Sequence, residues 1–526
     1  MDDQKNPTRL NRRSFLGMGA AVTAGGILLP SCQSPRSGAA TARRAGTSNP
    51  VTKSASATLE EFRVKDSDLR KVMARALQSG GDFCDLFFQR RNTNRLGLED
   101  EAVNSASSKA ELGVGVRVVR GVETGYAYTE SLDLDSMLKA AEVAAAVANG
   151  TPRKDPESFS VGKTASYYPI EAKWGGVAVA QKVSLLSNYH KLIAKHDPRI
   201  KKISINYTDE ESTIVVVDSL GRQFSDYQPM TTCYAHCVAE HKGRREANYS
   251  GVAGRSGFEF YTQERLEAAA KLVVDRTIVL FDAVAGPVGE LPVVLGPGSS
   301  GILLHEAIGH GMEADFARRK TTIYTDKVNQ KIANDFVTIV DDGTQRNSRG
   351  SINIDDEGNS SQRTVLVENG TLRTFMHDRI SAKHFGLKPT GNGRRQSFRH
   401  MPVPRMRNTC MLAGPHQREE IIASVKKGIY AEHFTNGQVD IGGGDYTFYI
   451  KNGMLIEDGK LTRPIKDVNI IGNGPESLRR VNMVGKDYRL DDGGWTCGKR
   501  GQRVPVGLGM PTVKISAVTV GGTKKG

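Results

Sequence analysis

The 526-residue sequence predicts an α+β protein, with N-terminal α/β subdomains followed by a β-rich C-terminal domain that carries a His-Glu-x-x-x-His helix. Three observations predict it. Up to about residue 288, runs with helical spacing of apolar residues alternate with runs that have strand spacing. From Gly289 onward the chain is glycine-rich, and Asn369-Gly370, Asn436-Gly437, Asn452-Gly453 and Asp458-Gly459 supply turn pairs for successive hairpins. Between a strand-like run and these hairpins lies Leu304-His305-Glu306-Ala307-Ile308-Gly309-His310, one of the few helical stretches of this region.

Residues 1–32 read as an export signal. Asn11-Arg12-Arg13-Ser14-Phe15-Leu16-Gly17 is a twin-arginine motif, and the Gly/Ala-rich stretch that follows to Leu29 is too short and too weakly apolar to span a membrane. Leu29-Pro30-Ser31-Cys32 is similar to a lipobox, with proline where a small residue is usual. Two outcomes stay open, lipidation of Cys32 or simple cleavage, and the protein is expected to be periplasmic or anchored to the cell envelope. Residues 33–58, rich in Ser, Ala, Thr and Arg without periodicity, are expected to be a disordered tether.

The first subdomain is expected over 59–150. Leu69, Val72, Met73, Ala76 and Leu77 mark a helix that Gly80-Gly81 stops. Strands are expected at Cys84 to Arg91, Arg95 to Leu98, Gly113 to Val119 and Gly125 to Thr129, then an alanine-rich helix from Asp133 to Ala148. The polar, proline-bearing stretch Thr151 to Trp174 suggests a boundary, so a second α+β subdomain is placed at 151–288. It opens on a helix at Val179 to His196 and has strands at Ile200 to Glu210, Ser212 to Asp218 and Arg222 to Glu240. A helix at Glu264 to Leu280 closes it. The third unit is 289–526, with a further helix near Arg418 to Lys427.

His-Glu-x-x-x-His is one residue longer than the zinc-peptidase pattern His-Glu-x-x-His. On a regular helix, residues five apart point about 140° away from each other. His305 and His310 therefore reach one ion only through a π-type turn or a helix that loosens at Gly309. The other reading makes His305 a buried helix residue and His310 a cap. Catalytic zinc usually takes three protein ligands and leaves one position open. Cys497, in Gly494-Trp495-Thr496-Cys497-Gly498-Lys499, is the candidate third ligand, its glycine neighbours allowing close approach; the alternative is a buried free cysteine. Glu306 is the candidate general base. Arg394, Arg395 and His400 are candidates for binding substrate or stabilising an oxyanion, or else are solvated or paired with acids.

These stretches carry a resemblance. Leu303 to Gly311, Pro389-Thr390-Gly391-Asn392-Gly393-Arg394-Arg395, Pro404-Arg405-Met406, Cys497-Gly498-Lys499 and Gly501 to Thr512 are similar to motifs of the TldD/PmbA family of zinc metallopeptidases, as is Gly113-Val114-Gly115-Val116-Arg117. The resemblance covers roughly residues 80 to 523. It implies zinc held by His305, His310 and Cys497, Glu306 as base, and a C-terminal metallopeptidase domain at 289–526. It also implies cleavage of small or unfolded peptides inside a closed chamber. The family's other branch, PmbA (TldE), lacks the metal motif and acts as partner subunit. The intact motif here implies the catalytic branch, as a homodimer or paired with a PmbA-like subunit. A β-rich scaffold suits such substrates, since an extended peptide can add to a sheet edge through main-chain hydrogen bonds. The competing expectations are a zinc amidase acting on a small conjugate and a non-catalytic subunit of a TldD/PmbA-type complex.

Composition adds exclusions. Net charge is +14, but residues 1–58 hold eight Lys/Arg against two Asp, leaving +8 over the other 468 residues. No basic block is interleaved with aromatics, so nucleic acid is not an expected partner. Six scattered cysteines do not make a disulfide scaffold. Cys233 and Cys237 share one face of a strand, where core packing or a disulfide is expected rather than a second metal.

Overall fold

The computed structural model describes residues 52–151 and 158–522. The expected signal at 1–32, with Cys32, and most of the expected tether lie outside the described residues. The tether's last residues do not: Ala55–Glu61 is a helix, α1, capped by Ser54 and burying Ala55, Thr58 and Leu59. Among the described residues no helix is long and apolar enough to cross a membrane.

The fold is mixed α and β, with a β-rich C-terminal region, as the sequence predicts. Its first half is built on one sheet of seven strands. These are β1 (Phe83–Glu99), β2 (Ala102–Arg120), β3 (Glu123–Thr129), β4 (Ser160–Val161), β5 (Ile200–Asp218), β6 (Arg222–His241) and β7 (Arg244–Gly254). The order is β3-β2-β1-β5-β6-β4, with β7 on β6. The two expected subdomains are thus halves of one sheet, since β1 and β5 pair antiparallel from Asp85 to Glu99.

Two pairs of expected strands are fused. The polar run Asn92-Thr93-Asn94, which looks like a break in β1, is a ladder of cross-strand hydrogen bonds. Asn92 donates to Glu211 (3.2 Å), Thr93 to Glu210 (3.3 Å) and Asn94 to Asp209 (2.8 Å). The partners lie more than a hundred residues away, and the same ladder carries β5 through Glu210-Glu211 without interruption.

Alternation sorts the two faces of this sheet. Leu86, Phe88, Val215 and Val217 pack under α1, α2 (Asp66–Leu77) and α3 (Leu134–Ala145). Farther along the same face, Ile203, Ile205, Cys233 and Cys237 pack under α4 (Val179–Ala194) and α5 (Gln263–Ile278). Both cysteines are buried free thiols. Phe87, Ile214 and Val216 point the other way and meet Ile354 and Phe398 of the C-terminal domain.

That domain holds an eight-stranded sheet, which includes Gly289–Leu295, Lys427–Val439, Asp445–Glu457 and Val513–Gly522, and a six-stranded sheet around Ile339–Asp342, Asn408–Met411 and Gly507–Met510. The His-Glu-x-x-x-His helix lies between them. Leu303, Leu304 and Ile308 join one core with Val293 and Phe448 of the first sheet and Ile339 and Leu508 of the second. Each such side chain contributes about 1.5–3 kcal/mol on burial, so the helix is held rigidly between two sheets.

Asn369-Gly370 and Asp458-Gly459 are hairpin turns with positive φ at both residues. Asn436-Gly437 and Asn452-Gly453 are not. They sit inside strands, in a stretch with several register shifts. A Cβ on Gly437 would lie 2.1 Å from the Phe448 ring, so glycine serves packing there. Asn452 accepts from Asn248 at 3.0 Å and donates to the Arg276 carbonyl at 3.1 Å, which makes it a buried link to β7 and α5.

Candidate metal centre

The helix Gly301–Leu304 widens at His305–Gly309 into a π turn, then tightens into a 3₁₀ turn at His310–Met312. A π turn brings residues five apart to nearly the same side. The two rings accordingly lie together edge to face, centroids 5.1 Å apart and planes at 81°. Gly309 keeps ordinary helical angles (φ −60°), so backbone freedom is not its use. A Cβ there would stand 2.2 Å from Met406 Sδ; glycine lets the turn lie against Met406.

Cys497 comes from the short hairpin Thr496–Lys499/Gln502–Pro505, which turns at Arg500-Gly501 with both φ positive. Its Sγ is 3.4 Å from His310 Nε2. Ligand atoms of His305, His310 and Cys497 all lie within 4.8 Å of one another, and all three residues are at most 3 % exposed. Among the expected glycine contacts, Gly494 does approach another element, its Cβ position 1.8 Å from Tyr234 Oη. Gly498 has nothing within 4 Å and does not need to be glycine for space.

The donor set fits zinc. Imidazole nitrogen and thiolate sulfur are donors zinc takes, and three protein ligands leave the fourth position that a catalytic site keeps open. Both ring nitrogens of His305 are buried and lack a protein partner, an expensive arrangement unless something else binds there. Burial alone would raise the Cys497 thiol, yet His305 and His310 outweigh it and hold it well below its ordinary value. Glu306 stands beside the group, with Oε2 3.7 Å from His310 Nε2. At 24 % side-chain exposure it is open to solvent.

Behind the ligands lies a buried charged network that the sequence reading did not assign. His310 Nδ1 donates to Glu313 Oε2 at 2.9 Å, which leaves Nε2 toward Cys497. Lys499 Nζ is 3.1 Å from the same oxygen and 2.6 Å from Asp315 Oδ1. Burial would raise the Glu313 carboxyl, but Lys499 and His310 bring it down to about 2. Arg405, fully buried, donates Nη2 to the Cys497 carbonyl at 2.6 Å. The available signals were spacing (Glu313 three residues after His310) and the nearness of Lys499 to Cys497.

Among the described residues, Arg394, Arg395 and His400 make no hydrogen bond or ion pair with His305, Glu306, His310 or Cys497. Arg394 is buried and donates to the Met406 and Pro505 carbonyls, the second at 2.8 Å, which ties the segment at Met406 to the Cys497 hairpin. Arg395 pairs with Asp85 at 3.2 Å and donates to the Asp356 carbonyl at 2.8 Å, joining the sheet of the first half to the C-terminal domain. His400, part-exposed, has Nδ1 3.1 Å from Ser397 Oγ. In this structure the arginines are cross-links between elements.

Comparison with known proteins gives the family. Three models, of PmbA/TldA metallopeptidase domain 1, central domain and C-terminal domain, match residues 84–148, 173–281 and 288–522. The chain is 39% identical to a protein named metalloprotease TldD homolog from Haemophilus influenzae, over 84% of this chain and 93% of that one. It is 28% identical to a zinc metalloprotease TldD homolog of Saccharolobus solfataricus, over 86% and 99%. The fold is shared with crystalline TldE from Thermococcus kodakarensis at a TM-score of 0.69 and 20% identity, over 89% of this chain and all of that one. With these models matching all three of its units and relatives of this kind across most of its length, the chain belongs to the PmbA/TldD family of metallopeptidases.

Proposed function

We propose that this chain is a zinc-dependent peptidase in which His305, His310 and Cys497 hold the metal and Glu306 is the general base. The observation that carries the reading is the buried His305 ring, with neither nitrogen partnered by protein, in a group with a second imidazole and a thiol. Zinc, when bound, supplies a Lewis acid that acidifies water and polarises the scissile carbonyl. Glu306 takes the proton of the attacking water and passes it to the leaving amine nitrogen, so the C–N bond breaks as the carbon gains hydroxyl and the nitrogen gains hydrogen. Glu313 keeps the proton on His310 Nδ1, which leaves the Nε2 lone pair free for the metal. Arg405 holds the Cys497 backbone in place.

The substrates in this reading are small or unfolded peptides, and the partner is a TldE-like subunit or a second copy. The family membership and the fold shared with TldE support it. The twin-arginine signal and Cys32 support export, with the mature protein free or lipid-anchored in the cell envelope.

The test is zinc content and cleavage of an unfolded polypeptide by mature protein and by Glu306→Gln. One zinc per chain in both, with cleavage only in the parent, is the expected result. A parent that holds zinc and cuts nothing, alone or with a TldE-like subunit, sinks the peptidase reading; a parent without metal sinks the catalytic one altogether. Cell fractionation of parent and Cys32→Ala checks the anchor: the variant is expected to leave the membrane fraction if Cys32 is lipidated.

A further inference from the structure

The strands of the Cys497 hairpin, Thr496–Lys499 and Gln502–Pro505, pair only with each other, so no ladder fixes how the hairpin seats on the His305–His310 helix. Seating falls to side chains. Arg349 and Arg394 donate to the Trp495 and Pro505 carbonyls at 3.0 and 2.8 Å, which anchors the open end. Along Thr496–Lys499 exposure alternates, and the two inward residues are Cys497 and Lys499. Among the described residues, the hairpin's polar contacts to the helix and the turn that leaves it come from these two and from Arg500, which is 36 % exposed and 3.6 Å from Asp315.

Lys499 is buried and fully engaged. Its Nζ lies 3.1 Å from Glu313 Oε2, 2.6 Å from Asp315 Oδ1 and 2.9 Å from the Pro404 carbonyl, which uses all three ammonium donors. The Phe316 ring lies beside it, its centroid 4.4 Å from Nζ. Glu313 follows His310 by about one helical turn, and Lys499 follows Cys497 by one repeat of the strand. Strand and helix therefore mate at two points. Cys497 Sγ meets His310 Nε2 at 3.4 Å, and Lys499 Nζ meets Glu313 Oε2 at 3.1 Å. The second contact involves no metal ligand atom, and hydrogen bonds between charged groups are roughly twice as strong as neutral ones.

We propose that Lys499 is a positioning residue of the metal centre: it seats the Cys497 hairpin on the His305–His310 helix without help from the metal, so that the thiol stands at the two imidazoles before an ion arrives. The proposal deepens the zinc reading above and rests on it for the role of Cys497.

Maleimide labelling of Cys497 in metal-free protein, read by peptide mass spectrometry, tests it. Lys499→Met alone strips Glu313 of its cation and endangers the fold, so the comparison is Glu313→Gln against Glu313→Gln with Lys499→Met. In that pair no carboxylate is orphaned, because Asp315 keeps Arg319 at 2.6 Å. The double variant is expected to label about 10-fold or more faster than Glu313→Gln and to bind zinc about 10-fold or more weaker, at a similar unfolding temperature. Equal labelling of the two overturns the proposal, since the other anchors then seat the hairpin alone. So does a metal-free parent in which Cys497 labels as fast as in the urea-unfolded chain, a result that depends on no variant. Labelling needs no ion, which separates the two readings. Labelling that responds to Lys499→Met in a protein that takes up no zinc keeps the seating role and ends the zinc reading. One zinc per chain, with labelling indifferent to Lys499→Met, ends the seating role and keeps the zinc reading.

Discussion

Glu313 accepts the His310 Nδ1 proton at 2.9 Å from a fully buried position, and Lys499 holds the same carboxylate oxygen at 3.1 Å. The chain therefore fixes the tautomer of one candidate metal ligand through a charge that is itself neutralised. This is the carboxylate–histidine arrangement that tunes ligand basicity in metal sites.

Glu313→Gln is expected to weaken zinc binding by about 10- to 100-fold, the usual range for losing such a partner. An amide can offer His310 its NH₂ group instead of an acceptor, which favours the wrong tautomer. Competition with a chromogenic chelator measures the change. Wild-type zinc affinity in the variant would show that Glu313 serves the fold and not the ligand.

Gly309→Ala puts a methyl group 2.2 Å from Met406 Sδ. Overpacking of a buried contact costs about 1–3 kcal/mol, and here the strain falls on the π turn between the two histidines. Thermal unfolding of the variant is expected at lower temperature, with weaker zinc retention. Met406→Ala in the Gly309→Ala background should restore much of the zinc retention by making room. A double variant no better than Gly309→Ala would show that the glycine is needed for some reason other than this contact.

The π turn was legible because chemistry demands it: two histidines five apart meet only where the helix widens. Its position needed the ligands, not the packing. The glycine's role was legible only in part, since Met406 is almost a hundred residues away and nothing local marks the approach. The same separation hid the charged ladder that continues β1 and β5 through runs that read as breaks. It also hid the work of Arg394 and Arg395. A Gly-Arg-Arg sequence beside a metal motif suggests substrate binding, whereas both side chains answer to carbonyls and acids brought in by distant elements.

Arg394→Ala follows from that placement. It leaves the Met406 and Pro505 carbonyls without their donor in a buried site, and each such orphan costs about 1–3 kcal/mol. The variant is expected to unfold at lower temperature and to lose zinc more readily, through slack in the Cys497 hairpin. Among molecules that keep zinc, KM for an unfolded peptide should stay near the parent value. A large rise in KM with stability unchanged would give Arg394 a substrate-binding role instead.

Asp226 sets a pH dependence that belongs to the fold rather than to the metal centre. It accepts from Tyr168 Oη, from Asn353 Nδ2 at 2.9 Å and from Gln228 Nε2 at 3.2 Å, and so connects β6 to the C-terminal domain. Burial raises its carboxyl to about 6 from an ordinary 3.8, although Tyr168 and Asn353 pull the other way. A carboxyl raised on folding binds its proton more tightly in the native state, so its contribution is full below about 3.8 and is lost as pH climbs through about 6. The loss across that window is roughly 3 kcal/mol, from about two pKa units at 1.36 kcal/mol each. Asp226→Asn, which is neutral at every pH, is expected to flatten this part of the stability profile. Urea unfolding midpoints of parent and variant between pH 4 and 7.5 test it. Parallel profiles would mean that Asp226 does not titrate in this range, and that its hydrogen bonds hold the charged form as well as burial disfavours it.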